Sequence, residues 1–321
     1  MAIIGQDIAQ AKKHLERGEL VAIPTETVYG LAGNALDPVA IASIFETKNR
    51  PSFDPLIIHV SSIHEAMRYV ADFPEKLKEL GKAFWPGPLT LLLPKNDSIP
   101  DLVTSGLDRV AVRVPDHELT LSLLRSLDFP LSAPSANPFG YISPTNPQHV
   151  EAQLGEKIPF ILDGGACRVG LESTIVGMEG SEIVVYRLGG LELSEIENIV
   201  GSVRINNHSS SNPQSPGVLE SHYAPRTPFI LGDLDILVKE YTTLNKNFAV
   251  LSFCKRVKGI SETKQFVLSE SSDIKVAAAN LFAAMRLLDE SESEVILAEL
   301  MPDIGLGKAI NDRLNRAAAK S

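Results

Sequence analysis

Isolated cations set among apolar residues are the side chains of this sequence best suited to chemistry. Residues 45–59 read FETKNRPSFDPLIIH: Lys48 and Arg50 end an amphipathic run, and His59 lies near the end of an apolar one. Pro51 is expected to stop the helix and stiffen the corner. Two readings of the pair fit. The cations complement the negative end of a helix over 38–48, or they stand on a rigid corner at a strand entrance, where ligand-binding residues of α/β sheets gather. In RVAVRVPDH (109–117), alternation puts Val110, Val112 and Val114 on one strand face and leaves Ala111 and Arg113 on the other. An arginine half-buried there needs either a structural salt bridge or a bound anion. In PLIIHV, Ile57 and His59 share one face, opposite Leu56, Ile58 and Val60.

Small polar residues supply the uncharged donors. PTETVYGLAGNA (24–35) reads either as a hydroxyl-capped helix start or as a binding turn in which Gly30 and Gly33 let a ligand approach the backbone. Residues 130–150, PLSAPSANPFGYISPTNPQHV, set Ser132, Ser135, Asn137, Ser143 and Thr145 on a proline-stiffened loop, so their hydrogen-bonding groups are pre-organised for phosphate or ribose oxygens. DGGACRVGLESTIV (163–176) runs from a double glycine into a strand, and RLGG (187–190) adds Arg187. The ordinary alternative is that these residues simply make loops.

The elements that must position these groups alternate. Strand-like runs occur at 20–24, 55–60, 88–93, 109–114, 159–162, 173–177 and 183–186, with helices expected at 38–48, 62–81, 117–127 and 147–154. This pattern indicates an α/β domain over 1–201, with a mixed sheet because the strands near 159–186 follow closely. Residues 202–228 are rich in proline and serine and read as a linker. Beyond it, 229–321 carries three strand runs, FILG, FAVLSF and EVILAEL, and helices near 233–243, 274–289 and 305–319, the order of a smaller doubly wound, Rossmann-like domain.

Composition narrows the function. The net charge of -10 disfavours broad adhesion to nucleic acid, although a local basic pocket is compatible with it. A non-catalytic RNA-binding module is the alternative from another class, and aromatic residues interleaved with basic ones, which would stack bases, are lacking. No run reaches the roughly 18 apolar residues of a membrane-spanning helix, the N-terminus reads as an amphipathic helix rather than a signal peptide, and two cysteines without a CxxC fit a reducing cytoplasm. The P-loop, GxGxxG, HExxH and GxSxG patterns do not occur.

PTETVYGLAGNA, KNRPSFDPLIIHV, FWPGPLTLLL, VAVRVPDH, SAPSANPFGYISPT, GLESTIV, RLGG and SPGVLESHYAP follow one another in the order of the YrdC-type family. Together they resemble its longer members, the threonylcarbamoyl-AMP synthases, over essentially the whole chain. The family's KxR and SxN signatures correspond to Lys48, Arg50, Ser135 and Asn137. The resemblance implies a YrdC-like twisted mixed sheet with helices, and a reaction of ATP, L-threonine and bicarbonate or carbon dioxide that yields threonylcarbamoyl-AMP and pyrophosphate. The product serves threonylcarbamoyladenosine modification of tRNA beside the anticodon. An enzyme for another carbamoyl adenylate is the nearest alternative.

By motif position, Thr27, His59, Arg113, Ala133 and Ser173 would hold threonine. Arg50, Asp54, Arg109, Ser135, Ser143, Arg187 and Tyr223 would hold ATP, with Mg2+ carried on its phosphates. Lys48, Arg50, Ser135 and Asn137 would surround the reacting centre. Asp54 replaces a common Asn and Arg109 a common Thr, while SPGVLESHYAP lacks the usual central basic residues of the linker, which would close as a lid bearing His222 and Tyr223. A downstream tRNA threonylcarbamoyltransferase is the implied partner, with at most indirect RNA contact.

Overall fold

The computed structural model describes residues 1–206 and 222–319. Most of the linker and its expected role as a lid therefore lie outside the described residues. The chain forms two compact units. The first comprises Met1–Phe139, Ser143–Arg168 and the described residues 172–206; the second comprises Gly140–Ile142, Val169–Leu171 and 222–319.

The first unit runs β1 (Ile3–Gly5), α1 (Ile8–Glu16), β2 (Val21–Ile23), β3 (Gly30–Asn34), α2 (Pro38–Lys48), β4 (Ile57–His59), α3 (Ile63–Ala66), α4 (Glu75–Phe84), β5 (Leu89–Pro94), α5 (Asp101–Thr104), β6 (Arg109–Arg113), α6 (Glu118–Ser126), β7 (Leu131–Ser132), α7 (Pro147–Leu154), β8 (Phe160–Leu162), β9 (Thr174–Glu179), β10 (Glu182–Arg187), α8 (Leu193–Val200) and β11 (Arg204–Ile205). The strands form one mixed sheet in the order β1-β8-β2-β3-β7-β4-β6-β5-β9-β10-β11. Ile41 and Ile44 of α2, Leu77 and Leu80 of α4 and Leu154 of α7 pack on one face against Ile58, Leu91, Val112 and Val176. On the other face α1 and α6 cover Val21, Ile23, Leu131 and Phe160. Farther along that second face, the buried cluster of Ile57, Leu92, Ala111, Ile175, Val184 and Tyr186 comes from strands alone. That stretch of sheet is where polar side chains collect.

Local chemistry explains the site-bearing elements, two departures from expectation and one choice the sequence left open. Helix α2 starts where Asp37 caps Val39 with Pro38 in the first turn, and it stops at Asn49, which takes the left-handed conformation at φ 52°. Asn49 is thus the stop, one turn-forming residue ahead of Pro51. The helix expected over 62–81 is two helices, α3 and α4: Val70 bridges to Lys95 and Pro74 begins a new helix, because proline cannot continue the old one. PTETVYGLAGNA is not a helix start. Thr25 Oγ1 accepts from Thr27 N and Val28 N and donates to Val28 O, closing a tight turn that leads into strand β3.

The second unit contains β12 (Phe229–Leu231), α9 (Leu234–Thr243), β13 (Phe248–Ser252), β14 (Gln265–Val267), α10 (Ile274–Asp289), β15 (Val295–Ala298) and α11 (Gly307–Ala318). Its parallel strands lie in the order β12-β15-β13-β14, with β14 absent from the sequence reading. The two short segments from earlier in the chain belong to this unit by contact: Tyr141 donates to Asp289 Oδ2 at 2.6 Å, and Gly170, at φ 73°, lies where a Cβ would come within 2.5 Å of Ala279. Among the described residues no helix is long and apolar enough to cross a membrane.

Candidate active site

Register creates the site. Parallel pairing of β4 with β6 sets His59 beside Arg113, antiparallel pairing of β6 with β5 sets Arg113 beside Thr90, and β9 places Ile175 between Thr90 and Arg187 of β10. Side chains directly across neighbouring strands share a face, so His59, Arg113, Thr90 and Arg187 form a row along the stretch whose buried cluster comes from strands alone. Four strand spacings make that row roughly 19 Å long. A bulge between Val185 and Arg187 inserts Tyr186 opposite no partner and so turns Arg187 onto this face.

Arg113, Thr90 and Arg187 are held in the row by buried bonds. Arg113 is 4% exposed; its Nη2 donates to Thr27 Oγ1 and pairs with Glu26 Oε1, both at 2.8 Å, and Nη1 makes no bond among the described residues. Glu26 also accepts from Asp116 N. Ser173 Oγ lies 2.7 Å from Thr90 Oγ1 and accepts from Arg187 Nη2, while Arg187 Nε and Nη2 both reach Ser173 O. Gly189 permits this seat, since a Cβ there would lie 2.3 Å from Glu172 O and 2.5 Å from Ser173 C. Ser143 joins through Glu172, to whose Oε1 it donates at 2.6 Å. His59 is buried and its Nδ1 has no partner among the described residues. Burial, reinforced by the charge of Arg113, lowers its pKa to about 3, so the imidazole is neutral and available as donor or acceptor.

A second group hangs on the loop after β7. Ala133 N donates to Ile57 O at 3.1 Å and Leu31 N to Pro134 O, which runs this loop past the ends of β3 and β4. Lys48, buried at the end of α2, donates its ammonium to the carbonyls of Ser135 and Asn137. Burial, with Arg50 adding, holds the Lys48 pKa well below the ordinary lysine value, and Asp54 opposes the shift. Arg50 is clamped by Asp54, at 3.0 Å from Oδ2, and by the carbonyls of Asp54 and Pro55, while Phe139 lies 5.8 Å beneath its guanidinium. Ser135 is half-buried and bridges Gly30.

Several sequence-derived positions make contacts that the sequence does not show. Gly30 and Gly33 are strand residues that pack closely, Gly30 against Ala133 and Gly33 against Leu20 and Ile44. Arg109 lies four residues, about 13 Å, along β6 from Arg113. There it stacks on Tyr186, to whose hydroxyl it donates at 2.9 Å, and Tyr186 in turn donates to Glu179. Tyr223 belongs to the second unit, stacked on Phe282 and under Arg313, with His222 at its edge. Glu26, Thr90 and Glu172 were missed. Thr90 was detectable as a hydroxyl within the apolar run PLTLLL, and Glu172 as a carboxylate beside Ser173.

Fold and site together define a YrdC-class α/β protein. Residues 13–189 match the family model described as "Telomere recombination", which groups Sua5, YciO and YrdC, and residues 191–319 match the model described as "Threonylcarbamoyl-AMP synthase, C-terminal domain". The threonylcarbamoyl-AMP synthase of Pyrococcus abyssi is 40% identical over 318 residues, with 95% of this chain and 92% of that protein covered. That of Bacillus subtilis is 39% identical over 320 residues, with 97% and 92% covered. The crystal structure of P. abyssi Sua5 complexed with L-threonine matches at a TM-score of 0.92 and 38% identity over 99% of this chain and 98% of the other. The chain belongs to the threonylcarbamoyl-AMP synthase family.

Proposed function

We propose that this chain is an L-threonylcarbamoyladenylate synthase, taking L-threonine, bicarbonate or carbon dioxide, and MgATP to threonylcarbamoyl-AMP and pyrophosphate. The observation that carries the reading is the in-register row of buried His59, Arg113, Thr90 and Arg187, the last two joined through Ser173, on a stretch of sheet whose buried apolar cluster comes from strands alone. Its span suits an amino acid placed next to a nucleotide.

Thr27, His59, Arg113, Ala133 and Ser173 are assigned to threonine. Arg113 meets the carboxylate with Nη1, and neutral His59 offers a hydrogen bond without adding charge. Arg187, Ser143, Ser135 and Arg50 are assigned to ATP. Asp54 orients Arg50, and we assign Arg109 to the Tyr186 and Glu179 cluster rather than to phosphate. Mg2+ arrives on the ATP phosphates, as part of the substrate.

The threonine amine and bicarbonate give a carbamate and water. A carbamate oxygen then bonds to the α-phosphorus as the bond to the bridging oxygen breaks, and pyrophosphate leaves. Two anions must meet, so fixed cations lower their repulsion and the stiff loop 133–139 supplies orientation. No covalent nucleophile is required. Lys48 and Asn137 shape the loop that carries Ser135, and a water-poor face protects the labile carbamate and mixed anhydride.

The product would pass to a tRNA threonylcarbamoyltransferase in the cytoplasm, a compartment that suits the unpaired Cys167 and Cys254. Incubation with MgATP and bicarbonate tests the reading: pyrophosphate release is expected only when L-threonine is added. Release that is independent of threonine, or equal with other amino acids, overturns the substrate assignment.

A further inference from the structure

The second unit has a cleft of its own. It measures about 1200 Å³, generous for a small-molecule site, and opens at the carboxyl ends of β12, β15 and β13. Helix α9 packs on one face of this sheet through Leu234, Leu237 and Val238. Alternation leaves Ala249 and Leu251 for the face met by α10, while α11 meets β12. The segments leaving β12 and β15 thus turn toward opposite faces, and a crevice forms outside the strand ends, the place where open parallel sheets take ligands.

The lining has two characters. Leu234, Val238, Val257 and Met301 make an apolar floor. Lys255, Arg256 and Lys258, three cations within four residues, rise from the loop after β13, and Lys239 faces the same space from α9. In a chain of net charge -10 this is a local reversal of sign. Arg256 is shared with Glu262 and Glu270 on the surface, whereas no ion pair is formed by Lys239, Lys255 or Lys258 among the described residues. Asp233 spends its carboxylate on the first amides of α9, so the helix end offers nothing to an anion, and Glu299 accepts from Phe253 N. An independent feature lies at the end of β13. Ser252 is 1% exposed, its Oγ has no hydrogen-bond partner among the described residues, and alternation puts it on the face of Val250, the same face as the cleft floor.

We propose that this cleft binds a nucleotide, with the base on the apolar floor, the ribose toward the carboxylate of Asp235, and the phosphates on Lys255 and Lys258. The proposal holds whatever reaction the first unit performs. A cysteine in the wall makes it testable: Cys254 lines the cleft and is half-buried, while Cys167 is buried with its thiol pKa pushed up to about 12. Alkylation of the full chain by iodoacetamide, followed by peptide mass spectrometry, therefore reads Cys254 selectively.

Millimolar ADP is expected to slow alkylation of Cys254 at least threefold, and adenosine or pyrophosphate at equal concentration to protect less. The double variant Lys255→Glu/Lys258→Glu, altered only at exposed positions, is expected to lose this protection while keeping threonine-dependent pyrophosphate release. An unchanged rate with ADP, equal protection in the double variant, or protection by tRNA alone overturns the proposal.

Discussion

Arg113 and Glu26 form an ion pair of 2.8 Å in which the arginine is 4% exposed and the glutamate 1%. The arginine is thus a compensated cation whose direction is set by an acid and by Thr27, and the site gains a fixed donor without a bare buried charge. Removing one partner of such a pair costs about 3–5 kcal/mol, because the survivor remains buried and unpaired. Glu26→Ala is expected to lose stability on that order and also to raise the KM for threonine, since Arg113 loses its orientation. Denaturant unfolding and threonine titration of pyrophosphate release measure the two effects. A stable variant with unchanged KM contradicts the positioning role.

His59 gives a pH dependence of known sign. In the unfolded chain it takes up a proton near 6.5, and in the folded protein only near 3. Between these values the unfolded state binds more protons, so stability is full above about 6.5 and falls as pH drops toward 3, by on the order of 5 kcal/mol over the whole window. The thermal midpoint of the wild type should therefore fall more steeply from pH 6.5 to 4 than that of His59→Gln. Parallel curves would show that His59 is protonated in the folded state.

The legible part of this protein was its strand alternation and its longer helices. RVAVRV and PLIIHV separated the two faces of their strands, and the buried clusters agree; the helix ranges expected at 38–48 and 147–154 match the observed ones. Strands β7, β11 and β14 were not legible, because their two or three residues carry no period, and β3 lay in a small-residue stretch read as a turn or a helix start. Register was hidden as well. Whether Arg113 lies beside His59 or one residue away decides which face the site occupies, and neither strand alone contains that information. The partners of the arginines were hidden for the same reason, which is why isolated cations in the sequence become clamped ones in the fold.

Gly189 tests the bulge that aims Arg187. A methyl group at this position meets the carbonyl oxygen of Glu172 at 2.3 Å and Ser173 C at 2.5 Å, both backbone, so neither can rotate away. Relief requires the 187–190 turn to move off Ser173, which breaks the three bonds from Arg187 to that residue. Gly189→Ala is expected to raise the KM for ATP tenfold or more, with a smaller change for threonine. Steady-state kinetics with each substrate varied in turn separates the two, and an equal change in both would place Arg187 away from the nucleotide.

Lys48 differs from the arginines in that its ammonium is spent on backbone. It donates to the carbonyls of Ser135 and Asn137, and its own carbonyl accepts from Phe139 N, so the end of α2 and the loop 135–139 are tied in both directions. Lys48→Met keeps the length of the side chain and removes the donors, leaving two acceptors unsatisfied at about 1–3 kcal/mol each. The loop must then shift to find water, taking Ser135 with it. Because this disorder affects the reacting geometry more than threonine binding, kcat is expected to fall tenfold or more with KM for threonine nearly unchanged. Lys48→Arg should fail as well, since a site 1% exposed has no room for the larger fork. Full activity in Lys48→Met would mean that the loop holds its shape through Gly30 and Tyr29 alone.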